Sequence, residues 1–199
     1  MRKSVLISIQ PKWVEKIASG EKTIEVRKSY PKLETPFKCY IYCTKDKKDI
    51  FFTKEVFDGE KGKWTIPHIG NGKVIGEFVC DWIDDFSRWY YDYPSLLRHI
   101  NLFAGTNGDY AFLDKYLKGK NGYGWNISNF KIYDKPKELG EFYNLCPKGF
   151  NDETNYACYR ERGLKLRFCK YSKNGKCDSK LKRPPQSWCY VEDLESVSR

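Results

Sequence analysis

Lys22, Glu25 and Arg27 fall within one short run, Gly20-Glu21-Lys22-Thr23-Ile24-Glu25-Val26-Arg27. Thr23 to Arg27 alternates polar and apolar residues. That pattern predicts a strand with Ile24 and Val26 on one face and Thr23, Glu25 and Arg27 on the other. Lys22 precedes the strand and can bend toward the charged face. A carboxylate between a lysine and an arginine holds both cations in register, and such a cluster can grip a phosphate, a carboxylate or the edge of a base. The same spacing also suits an exposed strand with cross-strand ion pairs, and it leaves both readings open. Catalysis asks more of Lys22. A solvated lysine is protonated at neutral pH and is neither base nor nucleophile until burial or nearby cations lower its pKa. Arg27 would help and Glu25 would oppose, so the trio favours electrostatic binding over base catalysis.

A second constellation lies in the last third of the chain. Cys146, Cys158, Cys169, Cys177 and Cys189 stand among polar and basic residues, with no Cys-x-x-Cys pair, and both histidines, His68 and His99, lie far upstream. In a reducing compartment clustered cysteines hold a metal more often than a disulfide. Zinc held by four of these five thiolates is the one cofactor the segment suggests, against reduced, unligated cysteines, the reading that the missing Cys-x-x-Cys pair favours. Cys39, Cys43 and Cys80 occur in apolar, strand-like runs, where cysteine is a small buried hydrophobe. The late segment is also basic. The chain has 36 Lys and Arg against 26 Asp and Glu, a net +10. Ten of those cations and two acids lie between Cys158 and Pro185, so this stretch carries +8 and the remainder only +2. Arg160, Arg162, Lys165, Arg167, Lys170 and Lys173 would form a basic plate that neutralises phosphates with strong salt dependence.

Trp64, Trp82, Trp89, Tyr90, Tyr91, Tyr93, Tyr123 and Trp125 are aromatic residues that could stack on a base. Core packing accounts for most of them. In SRWYYDYPS, residues 87 to 95, four aromatics in five positions cannot all face inward, so some must line a cleft or a partner surface. Trp125 is either core or the floor of a pocket.

The elements that must position these residues follow from periodicity and punctuation. Val5 to Ile9 reads as a mostly buried strand. Pro11 suits a helix first turn, Trp13, Val14 and Ile17 give an apolar helix face, and Gly20 suits a left-handed cap. Phe37 to Cys43 and Val74 to Trp82 read as strands. Residues 46 to 72 read as an irregular hairpin or excursion. Ser95 to Phe103 and Asp109 to Leu117 read as short helices. Tyr123 to Tyr133 supplies a final strand or strand pair, ended by Pro136. This order describes a mixed α+β protein.

The stretch SIQPKWVEKIASGEKTIEVRKSYP resembles the opening of the ASCH domain, a branch of the PUA-like superfamily. The family pattern is a strand, a Pro-led helix and Gly-x-Lys-x-x-Glu-x-Arg, here Gly20, Lys22, Glu25 and Arg27. VIGEFVC at 74 to 80 and YGWNISNFKIYDKPKEL at 123 to 139 resemble its closing strands. The resemblance spans roughly residues 3 to 140. It implies a small PUA-like β-barrel flanked by helices, with a cleft lined by the motif and an association with RNA or modified bases. Small bacterial ASCH proteins similar across this motif are amidohydrolases on acetylated cytidine that use a Lys, a Thr and a Glu. Lys22 matches their lysine, Glu25 stands where they have threonine, and no residue here matches their glutamate. Other ASCH proteins are described as ribonucleases.

These readings place an ASCH/PUA-like domain at residues 1–142 and a cysteine-rich, basic C-terminal segment, the candidate zinc-binding part, at 143–199. Pro184 and Pro185 stiffen an extended stretch that Trp188 and Val191 dock on the body. The hydrophobic fraction of 40% and aromatic fraction of 17% supply a core and exclude global disorder. No run approaches the ~20 apolar residues that span a bilayer, and the start lacks the pattern of a secretory signal. A cytoplasmic protein with no membrane association is expected. The function expected is binding of RNA or a modified nucleotide, with Lys12, Lys22, Arg27, Lys28, Trp125, Arg160, Arg162, Arg167 and Lys170 as contacts. The alternative is a hydrolase of RNA or a modified nucleoside, with Lys22, Glu25 and Arg27 as its catalytic residues. A third reading is an interaction protein led by its basic tail.

Overall fold

The apolar run near the start of the chain forms β1 (Lys3–Ile9), which is buried on both faces. This computed structural model describes residues 3–46, 57–58, 63–64, 70–89, 110–145, 172–173, 176–177 and 179–197. After β1 come α1 (Pro11–Ala18), β2 (Ile24–Arg27) and β3 (Phe37–Cys43). Short β4 (Phe57–Asp58) and β5 (Lys63–Trp64) pair with each other inside the expected excursion. Then follow β6 (Val74–Cys80), β7 (Ile83–Asp85), a 3-10 turn at Phe86–Trp89, α2 (Tyr110–Leu117), β8 (Tyr123–Asn126) and β9 (Ser128–Lys137). The remaining elements are β10 (Ser172–Lys173), β11 (Lys176–Cys177), β12 (Trp188–Glu192) and α3 (Leu194–Val197).

Five strands form the main sheet in the order β12-β1-β3-β6-β9, and three form a second sheet in the order β2-β8-β7. β1 and β3 run parallel while the other pairs are antiparallel. Parallel neighbours require a crossover; α1 and β2 supply it, and this places the Lys-Glu-Arg run beside the end of β1. The side chains of β1 divide by parity. Val5, Ile7 and Ile9 join Val14, Ile41, Ile75, Phe78 and Trp125 in one core. Leu6 joins Tyr40, Phe142, Leu181 and Val191 in another. Burial on both faces explains why apolar residues stand at successive positions from Val5 to Ile7 and again at Ile9. The α+β class expected from the order of elements is the one observed, and no described helix is long and apolar enough to cross a membrane.

One expectation is corrected. Pro136 does not end the last strand, because β9 continues to Lys137. β9 is a sheet edge, where the missing N–H of proline costs no ladder hydrogen bond. The stretch of Trp188 and Val191 docks on the body as a strand. β12 is an edge strand of the main sheet, paired with β1 from Lys3↔Glu192 to Ile7↔Trp188. It is pinned by polar contacts: Tyr40 Oη donates to Asp193 Oδ1 at 3.1 Å, Ser4 Oγ donates to Asp193 Oδ2 at 3.0 Å, and Lys38 Nζ lies 2.8 Å from Glu195 Oε1. The expected helix at 95 to 103 and most of the aromatic run at 87 to 95 lie outside the described residues.

Val191 is fully buried in the second core. Val191→Ala is therefore expected to cost about 2 kcal/mol from lost transfer energy and the cavity left behind. Urea unfolding followed by fluorescence should show one lowered midpoint. An unchanged midpoint would mean that β12 adds nothing to the stability of the body.

Candidate functional site

The motif residues are brought together by a helix end and two strand pairings. Gly20 adopts φ +80°, the left-handed region, and ends α1. The chain reverses there, tied by the Lys22 amide donating to the Lys16 carbonyl at 2.9 Å. β2 then pairs with β8, with Glu25 opposite Trp125. Ile24 and Val26 pack on Phe86, Leu113 and Leu117, so Glu25 and Arg27 take the opposite face, as the alternation predicts. The exposed-strand reading does not hold: Lys22, Glu25 and Arg27 are only 5%, 6% and 9% exposed.

Glu25 bridges the two cations. Lys22 Nζ lies 3.2 Å from Oε2 and Arg27 Nη2 lies 2.9 Å from Oε1. Lys22 Nζ also donates to the Ile24 carbonyl at 2.7 Å, and Arg27 Nη2 to the Ser8 carbonyl at 2.6 Å. Arg27 Nε is buried without an acceptor among the described residues. Burial pulls the Lys22 pKa below its ordinary value; Glu25 opposes this, and Arg27 and Lys16 assist to a lesser degree. The lysine is thus moved toward neutrality by desolvation and held charged by its carboxylate.

The trio lines a cleft of about 1360 Å³. Its lining includes Lys12 and Trp13 from α1, Lys28 after β2, Tyr116 from α2, and Thr44 and Lys45 after β3. The cation of Lys12 stands 4.8 Å from the centre of the Trp13 ring and that of Lys22 5.4 Å. Lys28 Nζ stands 5.2 Å from the Tyr116 ring. Across β1 from Thr44 and Lys45, a wall is formed by the extended stretch before β12, with Lys182, Pro184, Pro185, Gln186 and Ser187. Ser8 joins this wall to the floor. Its amide donates to the Ser187 carbonyl at 2.9 Å and its Oγ to the Pro185 carbonyl at 2.7 Å, while its own carbonyl accepts Arg27. Among the described lining residues there are six cations (Lys12, Lys22, Arg27, Lys28, Lys45 and Lys182) and one acid, Glu25.

Of the expected contacts, Lys12, Lys22, Arg27 and Lys28 meet in this cleft. Trp125 does not. It is fully buried in the core, edge-on to Phe37 and tilted against Trp188, so it is no stacking surface. Arg160, Arg162, Arg167 and Lys170 lie outside the described residues, as do Cys146, Cys158 and Cys169. Cys177 stands on β11. Cys189 is on β12, where burial pushes its thiol up to about 11. No group of three metal-ligating side chains occurs among the described residues. The sequence reading missed Trp13, which was assigned only to the helix's apolar face, and Gln186 and Ser187, which were assigned to a docking stretch. The signal available for Trp13 was its position between two lysine-bearing segments.

Removing the shared carboxylate leaves two cations out of water. Glu25→Gln is expected to destabilise the fold by about 3–5 kcal/mol, as read from urea unfolding at neutral pH. A loss under about 1 kcal/mol, the scale of a solvent-exposed pair, would contradict the burial described.

The ASCH domain family model matches residues 7–151. No curated protein matches the chain. Among solved structures, a serine-to-alanine variant of ZmASCH from Zymomonas mobilis is similar with a TM-score of 0.50 and 16% identity, over 99% of this chain and 94% of that one. ZmASCH without the substitution is similar with a TM-score of 0.47 and 16% identity, over 98% and 91%. At such identity the likeness concerns the fold alone. With the domain match spanning most of its length, the chain belongs to the ASCH family, part of the PUA-like superfamily and generally linked to RNA binding.

Proposed function

We propose that the cleft binds a single-stranded segment of RNA and that the protein is a binding module. The observation that carries this reading is the cleft's charge: six cations to one acid among the described lining residues. Its volume of about 1360 Å³ exceeds the ~300–1,000 Å³ of ordinary small-ligand sites, which suits several linked nucleotides better than one nucleoside. Exposed Lys12, Lys28, Lys45 and Lys182 suit phosphates. A base that displaces Lys12 from Trp13 or Lys28 from Tyr116 gains a stacking contact worth ~1–3 kcal/mol and frees the lysine for a phosphate. Arg27 at the floor keeps an Nε–H without an acceptor among the described residues, which a phosphate or base oxygen would satisfy.

Hydrolysis on the same cleft is the second reading, and the lowered pKa of Lys22 favours it. A neutral lysine can take a proton or attack a carbonyl. The ion pair with Glu25 works against it, so binding is the primary reading.

Fluorescence anisotropy with labelled eight-nucleotide single-stranded RNA tests both. Four exposed cations at phosphates predict a slope of log affinity against log salt of about −3. Arg27→Ala is expected to weaken binding about ten- to a hundredfold, the range for a hydrogen bond to a charged group. The exposed pair Lys28→Ala and Lys45→Ala provides a check that does not perturb the buried trio. Salt-independent binding, or full affinity in both variants, sinks the binding reading. Turnover of RNA or a modified nucleoside that Lys22→Ala abolishes while binding persists would establish the hydrolase instead.

A further inference from the structure

We propose that the stretch from Pro184 to Ser187 is a base-reading wall of the cleft, with the Gln186 amide contacting a base edge. This rests on the RNA-cleft reading above. These residues lie outside 7–151, the part matched by the family model, yet they form one side of the cleft. Lys45 follows β3, which lies on the far side of β1 from β12, and Lys12 and Lys28 also line the cleft. A phosphate backbone drawn to Lys45 turns its bases toward the stretch before β12. There the chain presents two proline rings and an exposed amide, while Lys182 leaves one cation at the wall's start. Proline rings give an apolar surface for a base face. A primary amide offers a donor and an acceptor together, the combination that distinguishes one base edge from another.

The wall is fixed before any ligand arrives. Ser8 holds the carbonyls of Pro185 and Ser187 at 2.7 and 2.9 Å. The next residue, Trp188, donates from Nε1 to Ser29 Oγ at 3.1 Å. Tyr190 Oη accepts the Lys32 amide at 2.7 Å. The stretch is therefore tied both to β1 and to the loop after β2, and proline limits its backbone further. Preorganisation of this kind lowers the ordering cost of binding and lets a single amide discriminate.

The test measures anisotropy with labelled rA8, rC8 and rU8 on wild type, Gln186→Ala and Arg27→Ala. Wild type is expected to separate the strongest from the weakest of the three by about tenfold, the scale of one good base contact. Gln186→Ala should bring them within about twofold while leaving the unfolding midpoint unchanged, since the side chain is exposed. The proposal is overturned if Gln186→Ala keeps the wild-type ranking, or if wild type binds all three alike while Arg27→Ala still weakens them. Failure of the RNA reading looks different: wild type binds none of the three, or Arg27→Ala binds as wild type does, and the base-reading wall then falls with it.

Discussion

A carboxylate held out of water between two cations is the constraint on which this site depends. Glu25 cannot be buried alone, because an isolated charge in a low-dielectric setting costs several kcal/mol. Lys22 and Arg27 offset that cost, and each needs a backbone carbonyl to complete its hydrogen bonding. Lys22 finds Ile24, two residues away, and Arg27 reaches the Ser8 carbonyl on another strand. The second bond matters more for architecture. It makes the end of β1 part of the charged cluster, and Ser8 passes that order on to the stretch before β12. Hydrogen bonds through Ser8 thereby link the charged cluster to the stretch before β12.

The arrangement also divides roles by solvent. The buried cations are committed to Glu25 and to carbonyls, so their fields reach the cleft from fixed positions. Lys12, Lys28 and Lys45 stay exposed, with Lys12 and Lys28 resting over aromatic rings. Exposed charges are screened by salt and attract a polyanion loosely; fixed ones act at close range in lower dielectric. A polyanion would meet the mobile charges first and the rigid ones last, which is an order suited to capture followed by positioning.

Much of this was legible in the sequence. Alternation in Thr23 to Arg27 assigned the faces of β2, Pro11 and Gly20 bracketed α1, and the charge spacing identified the trio. Its burial was not legible, because that depends on Phe86, Leu113 and Leu117 covering one face and β1 approaching the other, contacts distant in sequence. Trp13 packs against the core as its periodicity predicts, and only the geometry of α1 shows that it also lines the cleft. Trp125 posed the converse problem: an aromatic beside a polar motif reads as a binding surface until the strands around it close. Pro136 was misread because proline punctuates a strand only where its N–H would be needed. The role of β12 was hidden by its partner, since the antiparallel pairing joins residues near 5 to residues near 190 and no local pattern reports it.

That pairing has a consequence for how the protein is made. Strand contacts between distant parts of a chain form late, after the entropy of closing a long loop has been overcome. During synthesis β1, α1, β2 and β3 emerge first, the charged trio is buried once Phe86, Leu113, Leu117 and β8 have followed to cover and pair β2, and Ser8 still has nothing to hold. The second wall exists only once residues 182–192 have left the ribosome and β12 has docked on β1. A nascent chain thus carries the motif before it carries the stretch that faces it. Docking of β12 on β1, rather than formation of the motif, marks the moment at which the cleft becomes two-sided.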